Sequence, residues 1–374
     1  MRRASAYKRA MSDALAQQTL KRGWTTGACA TAAARAAFHA LCREAPSPDP
    51  INIFLPSSQR VAFSLSRFER GLDFARAGVV KDAGDDPDVT HGATILAKVA
   101  RAPQGSGVSF VAGPGVGTVT RPGLPLAVGE PAINPVPRAM MRDNIAEAAR
   151  ELGAPADISI EISIPGGEEI AKHTLNGRLG IIGGLSILGT SGIVVPYSCA
   201  AWIDAIHRGV DVARACGVTH LAAATGSVSE EAVRKLNNLP DAALIEMGDF
   251  VGALLKYLRT HPVEKLTLAG GFAKMTKLAQ GALDLHSARS ALDLSALARL
   301  AAAAGGEPTL VQGIASANSA LEALQVAMLA GVDLATPVAQ RALETASRAL
   351  DNRAIGLELL VFDREGRLLA RADQ

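Results

Sequence analysis

Three tetrapeptides in the second half of the chain carry the residue types that hold a nucleotide-like ligand. ATGS (Ala224–Ser227), EMGD (Glu246–Asp249) and AGGF (Ala269–Phe272) each close a short apolar run and open a helical one. Glycine at such a turn lets backbone approach a ligand, and the first amides of a helix favour a negative group. Thr225, Gly226 and Ser227 would form the first turn, and the Gly270-Gly271 pair the third. Glu246 stands twenty positions after Gly226, the spacing at which an acid at the next strand's end accepts from both ribose hydroxyls. Gly248 falls in the same turn, and Asp249 could exchange roles with Glu246. An adenosine-bearing ligand fits, either a dinucleotide or S-adenosylmethionine. The first turn is not Gly-x-Gly-x-x-Gly, which lowers the dinucleotide option. The plainer alternative is that Glu246 only caps the helix that follows it.

The first half has its own reactive loops. KDAGDDPDVTHG (Lys81–Gly92) places Asp82, Asp85, Asp86 and Asp88 beside His91. A cation-binding loop is conceivable, but the spacing is not that of an EF-hand, and we expect no metal there. A polar loop facing substrate, or a solvated turn whose aspartates cap backbone amides, fits better. GPGVGTVTRPGL (Gly113–Leu124) resembles a loop that wraps an anion with backbone amides, with Arg121 as partner. It lacks the Gly-Lys-Ser/Thr ending of a nucleotide P-loop. In GEPAINPVPRAMM (Gly129–Met141), Arg138 could offer a fork to a carboxylate.

These loops need elements to hold them. Gly23–Phe38 reads as a loop entering an alanine-rich helix that runs to about Cys42, capped by Thr25 or Thr26. Cys29 on that helix is expected to be a small buried residue rather than a nucleophile. Strands are expected at 51–55, 61–68, 72–80, 94–101, 108–112 and 158–164, several alternating apolar and polar, with a helix over 135–152. That is an α+β domain on a mostly antiparallel sheet. The stretch 164–195 is dense in glycine, with Gly183-Gly184 between two apolar runs, and reads as a hub or a crossover between domains. After it, strands at 220–224, 242–246 and 265–269 alternate with helices at 202–216, 229–236 (Ser229 as cap), 250–260 and 274–283. Such alternation predicts a Rossmann-like parallel sheet whose ligands sit beyond the strands' carboxyl ends. Helices at 295–304, 316–329 and 337–350 and a hairpin, 356–362 with 367–371, complete the chain. The expected domains are therefore 1–192 and 193–374.

Composition narrows the class. At 374 residues and 48% apolar the chain has material for two cores, and no run is long enough to span a membrane. A net charge of +2 and 4% aromatics give no bulk case for nucleic acid or an anionic membrane. The four cysteines show no Cys-x-x-Cys pairing, which suits a reducing compartment, and a cytoplasmic enzyme is expected. The first twenty residues, basic and alanine-rich, read as a solvated terminus rather than a secretory signal. Self-association as a homo-oligomer is left open.

Taken in order, GWTTGACATAAARAA, AGDDPDVTHGATI, GPGVGTVTRPGL, GEPAINPVPRAMM, TLNGRLGIIGGLSILGTSGIVVPYS, ATGS, EMGDFVG and AGGFAKMTKLAQG resemble the CbiD family, the cobalt-precorrin-5B C1-methyltransferases of cobalamin biosynthesis. The likeness spans most of the chain. Leu185 and Ser191 stand where the pattern leads one to expect Ile and Thr. The resemblance implies methyl transfer from S-adenosylmethionine, as co-substrate, to ring carbon C1 of a cobalt-containing corrin precursor. It also implies an adenosylmethionine-binding Rossmann-like domain joined to a separate α+β domain, and it carries over no catalytic residue. On the residues alone, Arg121, Arg138 and Arg178 would pair with the acid side chains of the macrocycle, and Asp86 or His91 would take a proton from the methylated ring system. A nicotinamide-dependent reductase of a tetrapyrrole would use the same Glu246. A non-catalytic corrinoid carrier would bind tetrapyrrole with no donor at all.

Overall fold

Alanine decides the middle of the first unit. In the computed structural model, which describes residues 20–43, 47–287, 289–351 and 354–374, β1 (Gly23–Trp24) leads into α1 (Thr26–Cys42). Thr25 caps the helix, its Oγ1 accepting the Ala28 amide at 3.2 Å. Every residue from Thr26 to Leu41 is buried, so this helix is enclosed on all sides. Small side chains permit that, because they let neighbouring backbone close in. Around α1 come β2 (Ile51–Phe54), β3 (Arg60–Phe63), β4 (Arg67–Arg70), β5 (Phe74–Val80), β6 (Thr94–Arg101) and β7 (Val108–Ala112). The short β8 (Gly115–Val116) and β9 (Thr118–Val119) precede α2 (Pro135–Leu152) and β10 (Ile158–Ser163). The main sheet runs β4-β5-β6-β10-β7, antiparallel except for the β10–β7 pair. The strand expected over 61–68 is two strands in different sheets: β3 pairs with β2, whereas β4 pairs with β5.

The glycine-rich stretch is stitched into this unit. After α3 (Gly167–Ala171) come β11 (Ile181–Ile182), β12 (Gly184–Leu185) and β13 (Ile193–Val194), which pair with β9, β8 and β1 respectively. Its glycines serve backbone-to-backbone packing. A Cβ on Gly115, at φ +80°, would lie 1.9 Å from the Ile164 carbonyl oxygen. The stretch is therefore no crossover. Because Val194 pairs with Gly23, the chain stays with the first unit until Ser198, beyond the boundary expected at residue 192. The basic N-terminal segment lies, but for Leu20, outside the described residues.

The second unit comprises Cys199–Gln374 with the short segment Pro122–Leu124. α4 (Cys199–Ala215), β14 (His220–Ala224), α5 (Ser227–Asn237), β15 (Leu244–Glu246), α6 (Val251–Leu258), β16 (Lys265–Gly271) and α7 (Phe272–Ala279) alternate as expected. Gly226, not Ser229, caps α5; the Ser229 hydroxyl turns back to donate to the Gly226 carbonyl at 2.9 Å. Then follow α8 (Leu294–Ala303), α9 (Pro308–Ala315), α10 (Ala320–Leu329), α11 (Ala335–Leu350), β17 (Gly356–Phe362) and β18 (Leu368–Asp373). The helix expected over 316–329 begins only at Ala320, after the Ser319 cap, and α9 had no counterpart in the sequence reading. The sheet runs β15-β14-β16-β17-β18, its first four strands parallel and β18 antiparallel. Ala222, Ala224, Ala269, Leu360 and Phe362 pack with Val233 of α5 on one face, while Leu221, Leu266, Leu268, Leu357 and Leu359 join the larger core with the other helices. No helix among the described residues is long and apolar enough to cross a membrane.

Candidate active site

The strand ends expected to hold the ligand lie side by side. β14 has β15 on one flank and β16 on the other, so the turns after Ala224, Glu246 and Gly271 share one rim of the second unit. Backbone bonds fasten it. The Thr225 amide donates to the Ala269 carbonyl at 3.0 Å, and the Met247 amide to the Ala224 carbonyl at 3.0 Å. A Cβ on Gly270 would lie 2.8 Å from Thr225 Oγ1, so this glycine lets the first and third turns close on each other. Gly226 and Gly271 differ, since a Cβ on either would meet nothing within 4 Å. They are the N-caps of α5 and α7, and neither helix start has a side-chain cap. Two sets of first-turn amides are thus left for a ligand or water, beside the exposed Ser227.

Glu246 and Asp249 separate here. Asp249 Oδ1 is paired with Lys274, which also donates to the Leu285 carbonyl at 3.4 Å, so this carboxylate joins the second and third turns. The Glu246 side chain is half-buried and has no hydrogen-bond or ion-pair partner among the described residues, and it caps nothing. A partly desolvated carboxylate without a donor is poised to accept from one. Its backbone carbonyl accepts from Trp202 Nε1 at 3.2 Å, and the indole edge packs on Gly248, at φ +53°. Sequence reasoning missed Trp202 and Lys274, whose partners lie 44 and 25 positions away. A cavity of about 410 Å³ in the same unit, lined by Cys199, Ile203, Phe250, Lys256, Leu283 and Arg289, includes none of the rim residues named above.

In the first unit the acidic loop is a fastening. Lys81 is buried and pairs with Asp88 Oδ2 at 2.6 Å, while Asp88 Oδ1 accepts from the Thr90 amide and hydroxyl at 2.7 and 2.6 Å. Burial opposes ionisation of Asp88, but these hydrogen bonds outweigh it and hold its carboxyl below the usual range. Asp82 is likewise held low, by Lys21 first and then by the Gly84 amide. Asp85 accepts the Lys21 amide at 2.6 Å, and Asp86 Oδ1 accepts the Tyr197 amide at 2.8 Å. His91 Nδ1 accepts the Ala83 amide at 3.1 Å. That contact occupies Nδ1 and leaves Nε2 as the ring nitrogen not used by it. Among the described residues no three His, Cys, Asp or Glu side chains are disposed to hold a metal ion.

The arginines also part company. Arg138 is consumed by its own loop: Nε donates to the Ile133 carbonyl at 2.7 Å, Nη2 to Pro131 at 3.1 Å, and Nη1 pairs with Glu130 at 2.8 Å. The fork expected for a ligand is already filled. Arg121 and Arg178 are brought together, Arg121 Nη1 donating to the Arg178 carbonyl at 3.0 Å, and both remain half-buried. The loop 113–124 does not wrap an anion with its amides. Those of Gly113, Gly117, Val119 and Thr120 donate to the carbonyls of Ile162, Leu185, Glu130 and Gly180. Cys29 is fully buried, and burial pushes its thiol up to about 12, as befits packing rather than chemistry.

Comparison with known proteins bears on the whole chain. The profile of the CbiD family matches residues 13–196, and that of the CbiD C-terminal domain matches residues 284–373. A Bradyrhizobium protein named cobalt-precorrin-5B C(1)-methyltransferase is 60% identical over 352 residues, covering 94% of this chain and 93% of its own length. A Brucella anthropi protein of the same name is 58% identical over 352 residues, covering 94% and 95%. A crystal structure of the cobalamin biosynthesis protein CbiD from Archaeoglobus fulgidus is 31% identical, covers 72% of this chain and 83% of that one, and superposes with a TM-score of 0.40. Identity of that order along nearly the full length leaves one assignment: the chain belongs to the CbiD family.

Proposed function

We propose that this chain is an S-adenosylmethionine-dependent C-methyltransferase acting on ring carbon C1 of cobalt-precorrin-5B, the activity for which its relatives are named. The observation that carries the residue-level reading is the half-buried Glu246 carboxylate, without a partner among the described residues, beside two helix starts that have no side-chain cap. The strand order reverses between β14 and β16, and in doubly wound sheets ligands bind at such a reversal. We read the second unit as Rossmann-like on that ground. Thr225, Gly226, Ser227, Gly248, Gly270 and Gly271 shape the donor's seat, and Glu246 accepts from its ribose hydroxyls.

The bound donor supplies an electrophilic methyl on a sulfonium, which departs as a neutral thioether while the ring's π electrons form the new bond to C1. The chain must therefore hold, align and keep water out rather than generate a nucleophile. The first unit is the tetrapyrrole-facing part in this reading. Arg121 and Arg178 are its partners for substrate carboxylates, and Asp86, whose Oδ1 holds the Tyr197 amide, keeps its other oxygen without a hydrogen-bond partner among the described residues, for a proton released on methylation. We read the setting as the cytoplasm, which the unpaired cysteines suit.

Calorimetry with S-adenosylhomocysteine, with and without the corrin precursor, tests this. Uptake of the demethylated donor is expected, weakened by Glu246→Gln. A chain that binds tetrapyrrole but no demethylated donor is a carrier. One that binds a pyridine nucleotide in its place is a reductase.

A further inference from the structure

We infer that Trp202 is the surface on which the donor's adenine ring stacks, a role that rests on the reading of the rim as an adenosine site. Trp202 is 45% exposed, in a chain with only one other tryptophan; that one, Trp24, packs against Phe63 with ring centroids 5.1 Å apart. Tryptophan is highly buried on average, and this one leaves half its indole open beside the rim, where an aromatic face is available to a ligand. Its position is not casual. The indole N–H donates to the Glu246 carbonyl at 3.2 Å, and Cζ2, Cε2 and Nε1 pack where a Cβ on Gly248 would come within 3.2–3.3 Å. Buried Ile206, one turn further along α4, fixes the helix that carries it.

Two consequences follow from that anchoring. First, indole has a single donor and no acceptor, and the donor is already engaged, so what remains for a ligand is aromatic surface. The matching partner is flat, unsaturated and tolerant of a partner without hydrogen bonds, which describes the face of a nucleobase. Second, the base and the two hydroxyls of adenosine belong to one sugar. If Glu246 grips the hydroxyls, the base falls within one residue's reach of that acid, and Trp202 is fastened to the same residue's backbone. The ring is held before the ligand arrives, so little side-chain entropy is lost on binding.

The test uses the full chain and S-adenosylhomocysteine. In Trp24→Phe, Trp202 is the sole indole, and its emission is expected to be quenched on addition of ligand. Calorimetry on Trp202→Phe, which keeps an aromatic face, is expected to give an affinity within about threefold of the native protein, whereas Trp202→Leu, of similar apolarity but with no π face, should lose about tenfold or more. Circular dichroism checks that each variant is folded. Equal affinities for the Leu and Phe variants, or unchanged Trp202 emission while calorimetry registers binding, would overturn the stacking role and leave the donor site standing. If the native protein takes up no S-adenosylhomocysteine, the reading of the rim falls and this inference with it.

Discussion

Glu358→Gln tests how the second unit is held together, because the described residues facing that carboxylate form one network. Glu358 is 1% exposed on the β17 face that packs against α5. Its Oε2 accepts from Thr267 Oγ1 at 2.6 Å and Asn237 Nδ2 at 3.3 Å and faces Lys265 Nζ at 3.5 Å, while Oε1 pairs with Arg371 at 2.6 Å. His220 Nε2 touches the same Thr267 hydroxyl at 2.8 Å. Glutamine keeps the shape and one acceptor oxygen but turns an NH2 toward donors on one side. Breaking a buried pair costs about 3–5 kcal/mol, but Arg371 and Lys265 are 52% and 41% exposed and can hydrate. The loss is nearer one charge-assisted hydrogen bond plus a donor clash, about 2–3 kcal/mol. For a unit of this size that is a fall in Tm of roughly 5–10 °C. Trp202 emission in a Trp24→Phe background follows the second unit alone.

The pH dependence sharpens the test. Burial opposes ionisation of Glu358, but Thr267, Lys265 and Arg371 outweigh it and hold the carboxyl below its ordinary 4.5. A carboxyl depressed in the fold contributes stability that is present above the unfolded value and lost as pH falls through the folded one. His220 is held below its ordinary 6.5, chiefly by burial and then by Lys265. Its proton binds more readily in the unfolded chain, so stability also declines as pH drops below about 6.5. Native protein should therefore lose stability in two windows, and Glu358→Gln should deepen the upper one, since the charge that partly offsets the depression of His220 is gone, and make the lower one shallower, the other depressed carboxyls of the unit remaining. A variant melting within about 2 °C of its parent, or with the same slope below pH 4.5, would refute this account of the network.

Other expectations are more local. Gly115→Ala forces a Cβ against the Ile164 carbonyl at a positive φ and should cost more than about 3 kcal/mol or leave no soluble protein, whereas Gly129→Ala, at φ +91° with open space, should cost only about 1–2 kcal/mol in a thermal melt. Asp249→Asn should change S-adenosylhomocysteine affinity far less than Glu246→Gln does, since Asp249 serves Lys274 and not the ligand; equal losses by calorimetry would contradict that division. Alkylation mapped by mass spectrometry should mark exposed Cys216 first and buried Cys29 only after unfolding, and early labelling of Cys29 would mean the α1 core opens.

The strands at Thr94–Arg101, Val108–Ala112, His220–Ala224 and Gly356–Phe362 and the helix Pro135–Leu152 lie where the sequence alone placed them. Their signals are local: alternation of period two or a short apolar run, a proline opening the helix, and Gly153 closing it in a left-handed turn at φ +60°. That the turns after Ala224, Glu246 and Gly271 share one rim was legible for a similar reason, because small residues at successive strand ends are written in short words. What a side chain does once it arrives was not. Arg138 looked like a free fork until its three donor groups met Ile133, Pro131 and Glu130, and Asp249 looked equivalent to Glu246 until Lys274 claimed it. The stretch 164–195 read as a boundary, yet it is sewn to residues as far away as Gly23. Period and caps act over a few residues and survive in any fold that uses them. Partnership between groups tens to more than a hundred positions apart exists only after the chain has closed, and that closure decided which carboxylate at the rim was left without a partner.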